Sequence, residues 1–201
     1  MKTDVIKVSP QGSGIGTAVK QVDFITDYKG LDHKSSLHLR LLTEEMMGMV
    51  RSITGADSGD FWIEDEDGVY QLHLRVETVL TSAKREMLLA ASTSGKNESA
   101  RGLMGAIRDF FDRSADADVA QFTNPLMLSG IYDQATTPTL EWEWSMTRCQ
   151  DELYSKVQHN DAGAIAAWDE LEKSVVAHVA DDVKVSIRGP KVEVIIIKKL
   201  G

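Results

Sequence analysis

The chain has 201 residues, of which 42% are hydrophobic and 26% are charged, and its formal net charge is −9. These totals are typical of a folded domain with an adequate core. The negative charge disfavours binding to nucleic acid or to an anionic membrane, and no apolar run approaches the ~18 residues of a membrane span. No secretory signal is predicted. The single cysteine, Cys149, excludes an internal disulfide, so we expect a cytoplasmic, reduced protein.

The first part of the chain predicts a strand, two helices and a β-hairpin. Asp4–Ser9 has the pattern of a short strand, and apolar residues at helical spacing then lead to Gly30, a typical helix stop. A second helix is predicted from Leu37. Asp67-Gly68 is a turn signal, and the apolar residues after it alternate along one face: Tyr70, Leu72, Leu74 and Val76.

The second part predicts short helices at SAKREMLLAAS and at LMGAIRDFFD, the latter with Ile107, Phe110 and Phe111, then a long segment without a period, and a closing hairpin. Residues 114–140 show no clear periodicity, although they contain apolar residues. Two helices are predicted after them, over Arg148–Gln158 and Asp161–Ala180. The second has Asn160 or Asp161 as its N-cap and an apolar stripe of five residues: Ile165, Trp168, Leu171, Val175 and Val179. The closing hairpin turns at Gly189-Pro190.

This order of elements predicts an α+β fold. We expect a two-layer sandwich, in which helices cover one face of a mostly antiparallel, mixed sheet. One domain spans residues 1–201, with an insertion at about 114–180 that comprises the irregular segment and the helical pair.

Two glycine-rich stretches do not complete nucleotide-binding motifs. GSGIG (12–16) follows a predicted strand, but Thr17 stands where the dinucleotide pattern needs glycine, so a turn is the simpler interpretation. SGKN (94–97) lacks the preceding glycine and the following hydroxyl of a P-loop. The five histidines lack ligand spacing, so we expect no zinc site.

The helix from Leu37 carries two adjacent acids. Its buried stripe is defined by a 3,4,3,4 spacing: Leu39, Leu42, Met46, Met49 and Ile53. Glu44 points away from that stripe and can pair with Arg40. Glu45 lies about 80° from the stripe centre, at the edge of the core. An ordinary partly exposed helix residue is one interpretation of Glu45, and a functional acid is the other.

Four stretches together resemble one family: LHLRLLTEEMMGMV, VYQLHLRVET, ARGLMGAIRDFF and DVKVSIRGPKVEVIIIKK. With the order of elements, they resemble the GHKL superfamily, the Bergerat-fold ATPases of histidine kinases, heat-shock chaperones and gyrases. The nearest resemblance is to the anti-sigma-factor serine kinases, over roughly residues 1–113 and 181–200. It implies the histidine-kinase-like ATPase fold and ATP as cofactor. An active member would be an ATP-dependent serine/threonine protein kinase or ATPase.

The resemblance also implies a site. Glu45 matches the general base, and the family's Mg²⁺-binding asparagine four residues later is replaced by Met49. A thioether is a poor ligand for Mg²⁺, so no proper metal ligand is expected. Glu77 or Thr78 would accept from adenine in place of the family's aspartate. In the lid loop, Lys96 or Arg101 could reach phosphates, and two glycines, Gly102 and Gly105, would allow close approach of the backbone. An ordinary loop is the alternative there.

The missing ligand predicts a degenerate, regulatory member of this family with weak or no ATP chemistry. Its partner would be a protein, such as a regulator or a sigma-factor-like molecule, and a homodimer is left open. The alternative is a non-catalytic protein-interaction module that reuses the scaffold. A third hypothesis is an unrelated enzyme with a pocket between the sheet and the insertion.

Overall fold

The computed structural model describes residues 1–9, 11–54, 58–77, 103, 105, 107, 141–188 and 191–200. The elements of this part of the chain are, in order, β1 (Ile6–Val8), α1 (Ile15–Lys29), α2 (His33–Thr54), β2 (Gly59–Glu66), β3 (Val69–Glu77), β4 (Glu141–Ser145), α3 (Met146–Gln158), α4 (Ala162–Glu172), α5 (Val175–Val179), β5 (Asp182–Arg188) and β6 (Lys191–Lys199).

The six strands form one sheet in the order β1-β2-β3-β6-β5-β4. Every pairing among them is antiparallel, so the parallel component of the predicted mixed sheet is not found in the described strands. The α+β class, with helices against one face of an antiparallel sheet, is confirmed. Asp67 and Gly68 both have positive φ, 50° and 82°, as expected of the predicted hairpin turn between β2 and β3.

The core lies between the helices and one face of the sheet. Alternate strand residues point into it because successive side chains of a strand face opposite sides. Those on the central strands are fully buried: Phe61, Ile63, Leu72, Leu74, Val194 and Ile196. Leu103 and Ile107, which are helical, join the same cluster and agree with a predicted short helix there. Phe110 and Phe111 of that prediction lie outside the described residues.

The first two helices pack against each other, and the residues at their short connection cap them, Gly30 through its backbone and Asp32 through its side chain. Gly30 caps α1 at φ 63°, as the sequence predicts. Helix α2 begins at His33, four residues before the predicted start, because Asp32 accepts a hydrogen bond from the backbone N of Ser35 at 2.6 Å. That bond also lowers the pKa of the Asp32 carboxyl.

The C-terminal end of α1 is tied to the β2–β3 hairpin by an ion pair. Lys29 Nζ lies 2.5 Å from Asp65 Oδ2, and the Asp65 side chain is almost fully buried on the core face of the sheet. Asp65 Oδ1 also accepts from the backbone N of Gly68 at 3.3 Å. The pKa of Lys29 is raised, chiefly by its hydrogen bond to Asp65.

The insertion contributes a strand that the sequence analysis missed. Residues 141–145 form β4, which pairs with β5 at one end of the sheet. Only five residues alternate there, too few to stand out from the aperiodic segment before them. Asp182 joins this strand to the next helix, because its Oδ1 accepts from Ser145 Oγ at 3.2 Å and from the backbone N of Thr147 at 3.1 Å.

The predicted helix over Asp161–Ala180 is two helices, α4 and α5. Asp161 caps α4 as predicted, and Ser174 caps α5, with Ser174 Oγ accepting from the backbone N of Ala177. Because the helix is interrupted at Ser174, the five-residue stripe does not lie on one face of a single helix. Ile165 is 39% exposed, whereas Val176 is buried in place of Val175.

Candidate functional site

Helix α2 places the two acids as the periodicity predicts. Its stripe is buried at every position whose side chain is described: Leu39, Leu42, Met46 and Met49. Glu44 is exposed, and its Oε1 lies 3.3 Å from Arg40 Nε. The predicted ion pair on the solvent face is therefore confirmed.

Glu45 is partly buried at the edge of the same helix. Burial raises the pKa of its carboxyl by disfavouring the charged form, and the neighbouring Glu44 adds to the rise. A desolvated carboxyl with a raised pKa is what a general base requires. Acids at the boundary of a helix's buried face in many proteins share this environment, with and without a catalytic role.

Met49, one turn beyond Glu45, is a core residue. It is 2% exposed and belongs to the main hydrophobic cluster. The place that the resemblance gives to a metal ligand is therefore occupied by a buried thioether. Among the described residues, no three His, Cys, Asp or Glu side chains are grouped to hold a metal ion.

The remaining predicted nucleotide-binding residues are mostly outside the described part of the chain; these are Thr78, Lys96, Arg101 and Gly102. Glu77 is exposed at the end of β3, where its Oε1 lies 3.8 Å from Lys191 Nζ. Gly105 is helical, and an added Cβ there would meet no atom within 4 Å. The structure thus places Glu45 and Met49 on one helix and leaves the adenine and phosphate residues as predictions.

The GSGIG stretch forms the turn into α1. Gly14 has φ 80°, and a Cβ at this position would lie 2.1 Å from the carbonyl O of Lys7 in β1. This glycine is therefore needed for close packing of the turn against the edge strand. The described geometry gives the motif a structural reason that involves no ligand.

A second cluster lies on the sheet face opposite the helices, where Trp62 and His73 are cross-strand partners. Their rings stack with centroids 4.7 Å apart and an interplanar angle of 9°. Lys2 Nζ and Arg75 Cζ each lie 4.8 Å from the centroid of the Trp62 ring. These cation–π contacts cover the tryptophan, which is 4% exposed.

Two carboxylates complete this cluster. Glu64 accepts from Lys2 Nζ and from Trp62 Nε1, both at 2.8 Å, and these two bonds lower its pKa. Glu193 Oε1 lies 3.2 Å from both His73 Nδ1 and Arg75 Nη2. The alternation along β3 predicts His73 and Arg75 on the face opposite its apolar residues, whereas nothing in that alternation indicates Trp62. The hairpin register, which sets Trp62 opposite His73, was the available signal.

A cavity of about 180 Å³ lies among the helices of the insertion. Its lining comes from all three of them: Gln150, Trp168, Leu171, Glu172, Ala177 and His178. Trp168 Nε1 donates to Glu172 Oε1 at 2.8 Å, one helical turn away. The sequence analysis assigned Trp168 to the buried stripe, whereas its ring borders this opening. The signal that could have revealed the site is the i, i+4 spacing of Trp168 and Glu172.

The fold and these clusters define an α+β protein with a six-stranded antiparallel sheet. In the described residues of the insertion, 141–180, one strand joins the end of that sheet and three helices follow it. Within the described ranges, no helix has both the length and the apolar character to cross a bilayer. No family model, no curated protein and no solved structure matches the chain. The resemblance to histidine-kinase-like ATPases therefore stays a hypothesis.

Proposed function

We propose that this chain is a regulatory protein on a histidine-kinase-like scaffold, which acts by binding a protein partner and has weak or no ATP chemistry. The observation that carries the proposal is the pair Glu45 and Met49 on α2. The acid is present and partly desolvated, whereas the position for the metal ligand holds a methionine buried in the core.

The chemistry of the missing ligand supports the loss of activity. Phosphoryl transfer depends on positioning and on electrostatic stabilisation of the phosphate oxygens, much of it supplied by Mg²⁺. Mg²⁺ requires hard oxygen ligands, which a thioether does not provide. A buried methionine also offers no opening for a hydrated ion at that point of the helix. We therefore expect Mg-ATP to bind weakly and its Mg²⁺ to add nothing to the affinity.

The insertion supports the role of a protein partner. Its described residues, 141–180, add a strand to the end of the sheet and three helices after it, and apolar side chains are exposed on two of these helices. Tyr154 of α3 is 57% exposed and Ile165 of α4 is 39% exposed. Exposed aromatic and aliphatic side chains on an added surface are typical of protein-binding regions.

The test is the thermal unfolding of the full chain with and without millimolar Mg-ATP. A ligand that binds only the folded state raises Tm by mass action. We expect the Tm to be unchanged and no phosphate to be released. Sustained ATP hydrolysis that Glu45→Gln abolishes and Glu44→Gln retains would overturn the proposal.

The second candidate is an active ATP-dependent serine/threonine protein kinase or ATPase, and the raised pKa of Glu45 favours it. In that case Glu45 would accept a proton from water or from a substrate hydroxyl. This candidate predicts that Mg-ATP raises the Tm of the wild type and that Glu45→Gln removes turnover while binding persists. An unchanged Tm at millimolar Mg-ATP would exclude it.

A further inference from the structure

The cavity among α3, α4 and α5 has the size of one side chain. Its volume of about 180 Å³ is close to that of a cavity of ~150 Å³ that accepts benzene. It is smaller than the ~300–1,000 Å³ of pockets that enclose a cofactor or a drug-sized ligand. A nucleotide does not fit such a space, whereas a single planar group does.

The polar groups of the cavity are hydrogen-bond acceptors. Glu172 uses Oε1 to accept from Trp168 Nε1, which leaves Oε2 for another donor. His178 Nδ1 lies 3.1 Å from the carbonyl O of Ser174. Because a carbonyl only accepts, Nδ1 carries the hydrogen and Nε2 is an acceptor in the neutral ring. Gln150 adds a side-chain amide to the lining, whose oxygen can accept and whose NH₂ group can donate.

An aromatic ring stands beside these acceptors. Trp168 lines the cavity, and its indole is held by the bond to Glu172 and by a tilted contact with Tyr154, with centroids 6.1 Å apart at 56°. A carboxylate next to an indole is a suitable site for a planar cation. The guanidinium group fits best, since it stacks on aromatic rings and donates a charge-assisted hydrogen bond to a carboxylate oxygen.

The charge of the surrounding region is complementary to such a cation. Residues 141–182 contain ten acidic and three basic residues, a net charge of −7 out of −9 for the whole chain. This segment holds all the elements that line the cavity. A concentrated negative field attracts a basic partner and raises its rate of association.

We propose that this cavity receives an arginine side chain of the protein partner, an inference that rests on the proposed function in taking the partner to be a protein. The guanidinium stacks against Trp168 and donates to the free oxygen of Glu172. Tyr154, whose ring contacts Trp168, and Ile165, three residues before Trp168 on α4, are both exposed. In the proposal they contact apolar residues beside the arginine. The recognised partner segment is thus basic and apolar together.

The experiment uses the ¹⁵N-labelled full chain and N-acetylarginine amide as the ligand. The indole N–H signal of Trp168 is assigned by its loss in Trp168→Phe. We expect a saturable shift of that signal with the arginine amide and less than about a tenth of it with N-acetylcitrulline amide, a neutral isostere of similar shape.

Two matched variants test the role of the carboxylate. Glu172→Gln weakens binding of the arginine amide about three- to fivefold, because a charge-assisted bond at an exposed carboxylate is lost. Asp169→Asn removes an equal charge from the same helix at a residue that does not line the cavity, and the affinity stays within about twofold. For both variants, a Tm equal to that of the wild type establishes that the variant folds.

Three outcomes would overturn the inference: an unmoved Trp168 signal at about 100 mM arginine amide, an equal shift with the citrulline amide, or equal weakening by both variants. These results are independent of the Mg-ATP experiment. Hydrolysis of Mg-ATP would contradict the proposed function without affecting the inference of arginine binding. An unmoved Trp168 signal would contradict only the inferred arginine site.

Discussion

His73 Nδ1 and Glu193 Oε1 lie 3.2 Å apart across β3 and β6, although 120 residues separate them in the chain. The contact joins the predicted first hairpin to the last strand on the open face of the sheet. His73 is 7% exposed and its ring is covered by Trp62. A charged residue of the final strand therefore completes a cluster that begins with the N-terminal hairpin.

This contact predicts a dependence of stability on pH. The pKa of Glu193 is below its ordinary value of 4.5, chiefly because of the hydrogen bond from His73 and also because of Arg75. A lowered native pKa contributes stability above the ordinary value, and this contribution is lost as the pH falls through the native pKa. Glu193→Gln should lower the free energy of unfolding by about 1–2 kcal/mol at pH 7 and by less at pH 3. Urea unfolding at both pH values measures the difference, and Glu143→Gln, an exposed carboxylate on β4, is the control. Equal losses at the two pH values would contradict the linkage.

Ionisation of Glu45 affects stability in the opposite direction to ionisation of Glu193. Its pKa is raised by burial, so the charged form costs stability as the pH rises through and above its ordinary value. Glu45→Gln should raise the Tm at pH 7 by about 1–2 °C and have no such effect at pH 4. Glu44→Gln, which loses the exposed ion pair with Arg40, should lower the Tm slightly. A lower Tm of Glu45→Gln at pH 7 would show that the carboxylate has a stabilising partner.

The ion pair of Lys29 and Asp65 predicts a non-additive pair of substitutions. Lys29→Met leaves the buried Asp65 carboxylate without its cation, so the Tm should fall by several degrees. Replacing both residues, as Lys29→Met with Asp65→Leu, removes the buried charge and should recover most of the loss. Calorimetry of the two single variants and the double variant measures the coupling. Additive losses would mean that the two side chains act independently.

Gly14 predicts a cost that depends on close packing. Gly14→Ala should lower the free energy of unfolding by about 2 kcal/mol or more, because the residue has φ 80° and the new Cβ meets the Lys7 carbonyl. Gly12→Ala is the matched control, since Gly12 also has positive φ, 99°, but open space around it. Gly12→Ala should lower the free energy of unfolding by only about 1 kcal/mol. Denaturant unfolding compares the two variants, and equal losses of stability would show that the positive φ alone, and not the close contact, sets the cost.

Local patterns predicted much of the fold. The alternation of β3, the turn at Asp67-Gly68 and the stripe of α2 each reflect one face of one element, and each is confirmed. The break at Ser174 was missed because its cap competes with a continuous apolar pattern. The strand β4 was missed because its pairing with β5 is a tertiary contact that five residues do not encode on their own.

The candidate sites divide in the same way. The partial burial of Glu45 and the full burial of Met49 follow from helical geometry alone, so periodicity anticipated them. The Trp62–His73 stack needs the register of two strands, and the cavity needs the packing of three helices. Neither arrangement can be predicted from a single segment, because each depends on which residues become neighbours in the folded chain.

Asp182 has a mechanical consequence. Its carboxylate links the first residue of β5 to the last residue of β4 and to the first turn of α3. These hydrogen bonds fix the start of α3 to the end of the sheet. A ligand bound among α3, α4 and α5 would therefore perturb the hydrogen bonds between β4 and β5, and the backbone amides of β4 would report its binding.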